Sequence, residues 1–505
     1  MLNSNSRKWW VLGALSFGLL AVSLDLTILN VALPTLASDL DASTSSLQWI
    51  VDSYTLVLAA LLLPAGMLGD RFGRKKFLLA ALVVFGVASV GCAFSDSSMT
   101  LIAMRCFLGL GAAFIMPLSM AVLPVLFEGA ERTKAMMLWT MANMFGIPLG
   151  PILGGWLLKH YDWGSVFLIN LPFAAVAIIA VAWLLPESRS AVRTSFDGTG
   201  IVTSSLGLIG ITYGVIRAGE HGWSDPLALG AIVIGFLLVL SFVLWQRRTS
   251  HPLIDLTLFR SARFTWGAVL ATIATFAIFG LLFATPLYFQ IIQGADSLST
   301  GLRLLPLIGG LIVGAKIAQS LISGSGAKVI AAIGFGVIAV GLVIGAMTGV
   351  DSGYGYAAIW ITITGFGLGM VMPTSMDAAL GELSAERSGI GSALIMVMRQ
   401  VGGAFGVALL GTALNSTYRS QLDLGGVSDS VAETVRQSVV MGSMIADRMS
   451  SDSLRLTVHQ SFVQGMDILL IICGGFAIAG LVLTILFLPR TSDAHPSKQA
   501  VKLDL

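Results

Sequence analysis

The sequence predicts an all-α membrane protein with fourteen transmembrane helices, and three observations lead to this prediction. Of the 505 residues, 56% are hydrophobic and only 11% are charged, whereas soluble domains carry about 25% charged residues. Apolar runs of about 20 residues, enough to cross a hydrocarbon core about 30 Å thick, recur along the whole chain. A glycine-rich motif occurs twice, which indicates an internal duplication.

The apolar runs are separated by short segments rich in glycine, proline and charged residues. A helix rises about 1.5 Å per residue, so each run can cross the membrane once. The first run is too long for a signal-peptide core and lacks a small-residue cleavage pattern, so we expect it to remain as a helix. The predicted spans are approximately 10–33, 47–68, 77–95, 99–123, 137–158, 163–185, 199–217, 226–246, 263–285, 302–323, 327–348, 355–379, 391–413 and 463–488.

Basic residues are unevenly divided between the two sets of loops. Most of the lysines and arginines outside the spans fall on the side that carries both termini. Cytoplasmic loops have such an excess of basic residues, so we expect both termini in the cytoplasm. The net charge of +2 therefore reflects membrane topology rather than nucleic-acid binding.

The duplicated motif divides the chain into two related parts. Residues 109–120 (GLGAAFIMPLSM) recur at 365–376 (GFGLGMVMPTSM), and the same displacement carries several glycines of span 5 onto glycines of span 13. We therefore predict two homologous six-helix halves with an inserted helix pair between them. The predicted regions are an N-terminal half at 1–198, the inserted pair at 199–262, a C-terminal half at 263–490 with a long outer loop at 414–462, and a disordered cytoplasmic tail at 491–505. The outer loop mixes turns rich in serine and aspartate with helical stretches, and it is either a solvated connector or an amphipathic hairpin that lies over the outer vestibule.

The turn between spans 2 and 3 combines glycines with charged residues. The glycines permit close helix approach and a sharp reversal, and Asp70 could pair with Arg74 or cap a helix N-terminus. The turn is either a basic segment that fixes topology or a gate that locks the outward-open state through an ion pair. Its motif residues are Gly66, Gly69, Asp70, Arg71, Gly73 and Arg74.

Span 5 carries glycines at four-residue spacing next to a proline. Small residues at this spacing give a flat helix face for close packing, and Pro151 frees a backbone carbonyl and introduces a kink. We expect either simple helix packing or a flexible seal between the halves. The residues of this motif are Gly146, Gly150, Pro151, Gly154 and Gly155.

Three ionisable residues inside the spans are candidates for proton coupling. Asp25 lies about fifteen residues into its helix, where a carboxylate is costly unless it faces a cavity or a partner. It is either a proton carrier or a structural hydrogen-bonding group. Asp52 lies closer to a span end, so it is either a second proton or cation site or an interfacial carboxylate. The permanently charged Arg105 needs a carboxylate nearby.

A central cavity between the halves is the expected substrate site. Flexible methionines suit a promiscuous surface, although such residues also pack ordinary cores. Asp377 is as compatible with interfacial solvation as with binding, and Lys316 could instead pair with an acid. The candidate substrate contacts are Asp25, Met116, Met120, Phe145, Lys316, Met376, Asp377, Met396 and Arg399. The charged residues inside the spans are three cations (Arg105, Lys316 and Arg399) and three acids (Asp25, Asp52 and Asp377). This balance favours neutral, zwitterionic or anionic compounds over dications.

These motifs resemble those of the major facilitator superfamily. The turn after span 2 resembles the superfamily's loop between spans 2 and 3, and span 5 resembles the antiporter signature of its exporters. Residues 24–34 (LDLTILNVALP) resemble the span-1 signature of the fourteen-span drug:proton antiporters. Members that expel lipophilic cations often carry an acid in span 10 or 13, where this chain has Lys316 and Arg399.

The resemblance implies the major facilitator fold and proton-coupled efflux of hydrophobic drugs or antibiotics across a bacterial plasma membrane by alternating access. It also implies that Asp25 is protonated from outside and that Arg105 assists proton release. We expect a monomer that is surrounded by membrane lipids, needs no cofactor beyond the proton gradient, and binds neither metal nor nucleic acid.

Other functions are less well supported by the residues. The sequence contains no Gly-x-x-x-x-Gly-Lys-Ser/Thr phosphate loop and no Cys/His spacing typical of a metal site. We therefore expect a transporter rather than an enzyme. The alternatives are a dedicated exporter of one antibiotic or metabolite, a lipid-moving or importing facilitator, and a membrane-embedded sensor or enzyme.

Overall fold

The computed structural model describes residues 4–489 apart from 128, 190–196, 250–251, 253, 255, 382–384 and 426. Within these ranges all regular structure is helical. The helices are α1 (Ser4–Asp39), α2 (Thr44–Phe72), α3 (Arg74–Ala93), α4 (Ser98–Leu126), α5 (Gly129–His160), α6 (Ser165–Leu168), α7 (Asn170–Leu184), α8 (Gly198–His221), α9 (Pro226–Arg248), α10 (Ala262–Leu287), α11 (Ser297–Arg303), α12 (Leu305–Gly345), α13 (Tyr354–Leu380), α14 (Ala385–Gln421), α15 (Asp429–Gln437), α16 (Val439–Arg448) and α17 (Asp452–Phe487).

Thirteen helical segments in the described ranges are long and apolar enough to cross a membrane. They correspond to thirteen of the predicted spans, and the remaining predicted span, 137–158, lies within helix α5. Spans 10 and 11 run together in α12, where Gly326 breaks the helix with a φ of 77°. The predicted all-α architecture of spanning helices is confirmed.

Several helices begin at polar residues that cap exposed backbone N–H groups. Ser97 accepts a hydrogen bond from Thr100 N (3.3 Å), and Asp197 accepts one from Gly200 N (2.8 Å). A side-chain oxygen at this position satisfies one of the donors that a helix start leaves unpaired. These caps explain why the helices begin just after short polar turns.

The helices form two groups and one inserted pair. Helices α1 to α7 pack together as the N-terminal half, and α10 to α14 with α17 pack as the C-terminal half. Helices α8 and α9 pair with each other, and α8 also contacts α2 and α14. The inserted pair therefore lies against the seam between the two halves.

The segment predicted as a long outer loop, 414–462, is largely helical. Helix α14 continues into it to Gln421, α15 and α16 follow, and α17 begins at Asp452. We call the end of the bundle where α1 begins the terminal face and the opposite end, which includes α15 and α16, the distal face. The predicted tail at 491–505 lies outside the described residues.

Contacts between the halves gather at the distal face. Gln48 Nε2 on α2 donates hydrogen bonds to the main-chain oxygens of Val407 (3.2 Å) and Ala408 (3.0 Å) on α14. Lys159 Nζ, at the end of α5, lies 3.2 Å from Asp296 Oδ2, just before α11. These bonds join the two halves at the distal face of the bundle.

Candidate functional site

A buried ion pair lies inside the N-terminal half. Asp25, near the middle of α1, accepts a hydrogen bond from Arg105 Nη1 on α4, and the two side chains are 0% and 2% exposed. The sequence predicted that Arg105 needs a carboxylate nearby but left open which acid it meets. A buried pair of this kind is costly to break, because removing one partner leaves the other charge uncompensated.

Two further helices complete this charge network. Arg105 Nε donates to the main-chain oxygen of Ile50 on α2 (3.0 Å), and its guanidinium lies 4.4 Å from the ring centre of Tyr54. Asn170 Nδ2, at the start of α7, donates to Asp25 Oδ1 (3.2 Å). Both carboxylate oxygens of Asp25 therefore have donors, and its described contacts all lie within the N-terminal half.

Asp52 lies outside this network. It is fully buried on α2, and neither carboxylate oxygen has a hydrogen-bond partner in the described part of the chain. Ile50 and Tyr54 face Arg105, and a residue two positions away on a helix points to roughly the opposite side. Asp52 shares its side of α2 with Gln48, which contacts α14. It is therefore a second, separate buried carboxyl near the seam between the halves.

The other ionisable candidates do not join Asp25. Arg399 Nε on α14 donates to Thr275 Oγ1 on α10 (3.2 Å). Lys316 and Asp377 are exposed on α12 and α13. Of the predicted three cations and three acids, the described residues form one ion pair, between Asp25 and Arg105.

The candidate methionines are packed among apolar side chains. Met116 is 5% exposed in the main apolar core, against which Met120 and Met396 also pack. Met376 packs against a smaller core cluster in the C-terminal half. The side chain of Phe145 lies outside the described residues. The contribution of these residues to a substrate surface stays a prediction.

The turn after α2 contacts the end of the same half. Gly73 adopts a φ of 126°, and the N–H of Lys75 donates to Glu187 Oε1 (3.1 Å). The N–H of Arg74 donates to the main-chain oxygen of Ser188 (3.0 Å). The side chain of Asp70 lies outside the described residues, so the predicted ion pair at this turn stays a prediction.

The remaining motif residues of this turn have distinct surroundings. The Arg71 guanidinium lies 5.2 Å from the ring centre of Phe72. Gly66 and Gly69 both face α4, because a Cβ at Gly66 would contact Pro117 and one at Gly69 would overlap Leu118. The glycines thus allow close packing of α2 against α4.

The glycine motif of α5 faces two neighbours. A Cβ at Gly146, Gly150 or Gly154 would overlap residues of α1, and Thr27 Oγ1 donates to the main-chain oxygen of Gly146 (3.2 Å). Gly155 lies against α11 of the other half, where a Cβ would come 2.5 Å from Ser297 O. The main-chain oxygen of Pro151 lies against Gly301 of α11. One motif therefore packs α5 within its own half and against the other half.

The fold and these motifs agree with comparisons to known proteins. The sequence pattern of the Major Facilitator Superfamily matches residues 15–407. The chain belongs to this superfamily. It is a multi-pass membrane transporter by family and by its apolar helices. The bacterial homologue of the human lysosomal transporter Spinster, solved in an inward-facing, unoccupied conformation, has the same fold, with a TM-score of 0.66 at 14% identity, covering 97% of this chain and 99% of that one.

Two relatives are similar over most of their length. The tetracenomycin C resistance and export protein of Streptomyces glaucescens is 31% identical, with 98% of this chain and 93% of that protein covered. The multidrug efflux pump LfrA of Mycolicibacterium smegmatis is 32% identical, with 83% of each chain covered. This superfamily member is therefore similar to proteins named for drug or antibiotic export.

Sequence reasoning missed several residues of the network. Asn170, Ser89 and Tyr54 contact the buried pair directly or through one neighbour. Asn170 is a polar side chain inside an apolar run, and this position is a signal that could have singled it out. Gln48 and Gln290 bond across the seam. Gln48 lies at the end of a predicted span and Gln290 lies beyond one, so neither position carries such a signal.

Proposed function

We propose that this superfamily member exports hydrophobic drugs or antibiotics across a bacterial plasma membrane in exchange for protons. The observation that carries the proposal is the buried pair of Asp25, near the middle of α1, and Arg105, two turns into α4. Ionisable groups inside a membrane are costly and typically belong to an ion or proton pathway. The similarity to an antibiotic export protein and a multidrug pump supports drugs as the cargo.

The terminal face is proposed to lie in the cytoplasm. The excess of basic residues on that side supports this orientation. The distal face then lies outside the cell, where Gln48 and the Lys159–Asp296 pair join the halves. This conformation is closed toward the outside, as expected for a transporter that takes up drug from the cytoplasm or the inner leaflet.

Proton binding is proposed to act on the charge network. A proton on Asp25 removes the negative charge that holds Arg105, so the two helices become free to rearrange. Loss of the proton restores the ion pair. Asp52, which has no described partner, is proposed as a second proton site near the seam. Alternation between the two conformations then moves drug and protons in opposite directions. The protein works as a monomer and needs only the proton gradient.

The charge balance between the halves bears on the substrate. Asp25 is neutralised within its own half, whereas Arg399 is bonded to a neutral hydroxyl. The described residues place no carboxylate beside Arg399, so this part of the C-terminal half offers no negative charge to a dication. We therefore expect neutral, zwitterionic or anionic compounds to be preferred.

A dedicated exporter of one antibiotic is the second candidate. The tetracenomycin C export protein aligns with 98% of this chain, whereas LfrA aligns with 83%. Both candidates use the same proton site, so the breadth of the substrate range separates them. A multidrug pump raises resistance to unrelated compounds, and a dedicated pump raises it to one scaffold.

Purified protein in proteoliposomes with a pH gradient tests this function. Proton flux is recorded as cationic, zwitterionic, neutral and anionic drugs are added to wild type and to Asp25→Asn. We expect drug-induced proton flux in wild type and its loss in the variant. Equal flux in both proteins would move the proton site to Asp52, and no flux with any drug would contradict proton-coupled export.

A further inference from the structure

The amide of Asn170 is incompletely satisfied next to the proposed proton carrier. Asn170 is fully buried, and its Nδ2 donates to Asp25 Oδ1 (3.2 Å) and to Ser89 Oγ (3.3 Å). Its Oδ1 is buried and has no hydrogen-bond partner in the described part of the chain. Native structures rarely leave such an acceptor unpaired, so its presence beside a protonatable group calls for a physical reason.

Asp25 needs different partners in its two protonation states. The carboxylate only accepts hydrogen bonds, and Arg105 and Asn170 both donate to it here. The protonated acid carries an O–H that needs an acceptor. Arg105 has five N–H donors and no acceptor, so it cannot serve the protonated form.

A primary amide can serve both forms. Rotating the Asn170 amide by half a turn exchanges Oδ1 with Nδ2, which are nearly equal in size. The oxygen would then stand where Nδ2 now contacts Asp25 and Ser89. It could accept the O–H of protonated Asp25 and the hydroxyl proton of Ser89. The proton remains on Asp25 throughout, and the amide neither gains nor loses one.

We infer that Asn170 is a positioning residue that turns its amide with the protonation state of Asp25 and holds the carboxyl in place in both states. This inference rests on the proposed role of Asp25 as proton carrier. It explains why Asn170 Oδ1 is unpaired here, because ionised Asp25 needs a donor from Asn170 and not an acceptor. It also keeps Asp25 inside the N-terminal half when Arg105 is released.

Asp25 is the group in this network whose charge changes with pH. Arg105 faces it from α4 and is permanently charged. Tyr54 from α2 and Cys92 from α3 are the other titratable side chains near the pair, and Cys106 on α4 follows Arg105. Among the described neighbours there is no histidine and no second carboxyl. A carboxyl signal from this site can therefore be assigned to Asp25.

Infrared difference spectroscopy between acid and alkaline pH tests the inference in lipid-embedded protein. Subtracting the Asp25→Asn spectrum isolates the C=O band of protonated Asp25. In Asn170→Leu we expect this band at higher frequency, because the acid has lost its acceptor. Asn170→Ser, whose hydroxyl both donates and accepts, should keep the band near its wild-type position. Ser89→Ala is the control that leaves the Asn170–Asp25 contact intact.

Transport provides the second measurement. Drug-induced proton flux should fall by about tenfold or more in Asn170→Leu, as expected when a charged group loses a hydrogen bond, and should largely recover in Asn170→Ser. If Asn170→Leu does not fold, Asn170→Ala is measured in the same way.

Two outcomes would overturn the inference in distinguishable ways. An unchanged Asp25 band in Asn170→Leu would show that the amide does not accept from the protonated acid, whatever happens to transport. The absence of any Asp25 band in wild type would remove Asp25 from the proton path and overturn the inference, whereas the drug-induced proton flux of wild type separately decides the proposed export function.

Discussion

Gln290, in the π-helical turn that follows α10 (Tyr288–Ile292), donates a hydrogen bond from Nε2 to the main-chain oxygen of Val31 on α1 (2.9 Å). Val31 lies six residues beyond Asp25 on the same helix. The helix that carries the proposed proton site is therefore bonded directly to the opposite half at the distal face. A rearrangement around Asp25 can reach this contact along one rigid element.

Removing the glutamine bonds at the seam should open the distal face. The double variant Gln48→Leu/Gln290→Leu removes hydrogen bonds that are worth about 1 kcal/mol each. It should therefore lower the ratio of closed to open protein by about tenfold or more. Ser38 lines a cavity of about 1000 Å³ at the distal face, and Ser38→Cys as the single cysteine should then react faster with a membrane-impermeant maleimide. Gln319→Leu, which changes an exposed glutamine of α12, is the control, and equal labelling in all three proteins would contradict the prediction.

A methyl group at Gly155 should prevent the distal face from closing. The added Cβ would lie 2.5 Å from Ser297 O and 2.7 Å from Leu298 Cα in the opposite half. Gly155→Ala should therefore lose transport while it keeps its helical content and its membrane insertion. The matched control is Gly13→Ala in α1, where a Cβ would meet nothing within 4 Å. Normal transport by Gly155→Ala would show that the halves need not meet so closely there.

The sequence predicted the spanning helices because apolar runs and polar turns determine where helices can cross a bilayer. The pairing of Asp25 with Arg105 was not predicted, although both residues were singled out. Which acid a buried cation meets depends on the rotation of two helices about their axes, and apolar periodicity is weak in helices that are hydrophobic all round. The charge pattern therefore revealed the candidates but not their partner.

The segment at 414–462 was predicted to mix turns rich in serine and aspartate with helical stretches. The structure forms helices there, and Ser438 and Ser451 act as caps for α16 and α17. Tyr418 adds a tertiary contact, since its hydroxyl donates to the main-chain oxygen of Val435 (2.8 Å). Polar composition marked the helix ends correctly, whereas the length of the helices between them depends on the packing of α15 against α16 and of α16 against α17.

The backbone at Gly73 should not tolerate a side chain. Its φ of 126° is strained for an L-residue, at a cost of about 1–2 kcal/mol, and a Cβ would also come 2.8 Å from Glu187 Oε1. Gly222→Ala separates the two effects, because Gly222 has a φ of 92° and open space around it. Thermal unfolding in detergent should show a larger loss of stability for Gly73→Ala than for Gly222→Ala. Equal losses would mean that the Glu187 contact does not matter.

The Lys159–Asp296 pair should not make transport depend on pH in the physiological range. Hydrogen bonds from Ser299, together with Lys159, lower the pKa of Asp296 from 3.8 to about 2. A lowered pKa stabilises the folded contact above pH 3.8, and this contribution is lost only as the pH falls toward about 2. Asp296→Asn should therefore lower transport by the same factor at every pH from about 5 to 9. A changed pH profile in the flux assay would contradict this assignment.

Single and double variants of the buried pair should separate its structural and transport roles. Asp25→Asn or Arg105→Gln alone leaves one buried charge without its partner, which costs about 3–5 kcal/mol. The double variant carries no charge at this site, so its thermal stability should recover toward wild type. Drug-coupled proton flux should remain absent in Asp25→Asn and in the double variant, because neither carries the Asp25 carboxyl that binds the proton. Stability that falls additively in the double variant would show that the two charges act independently, despite their direct contact.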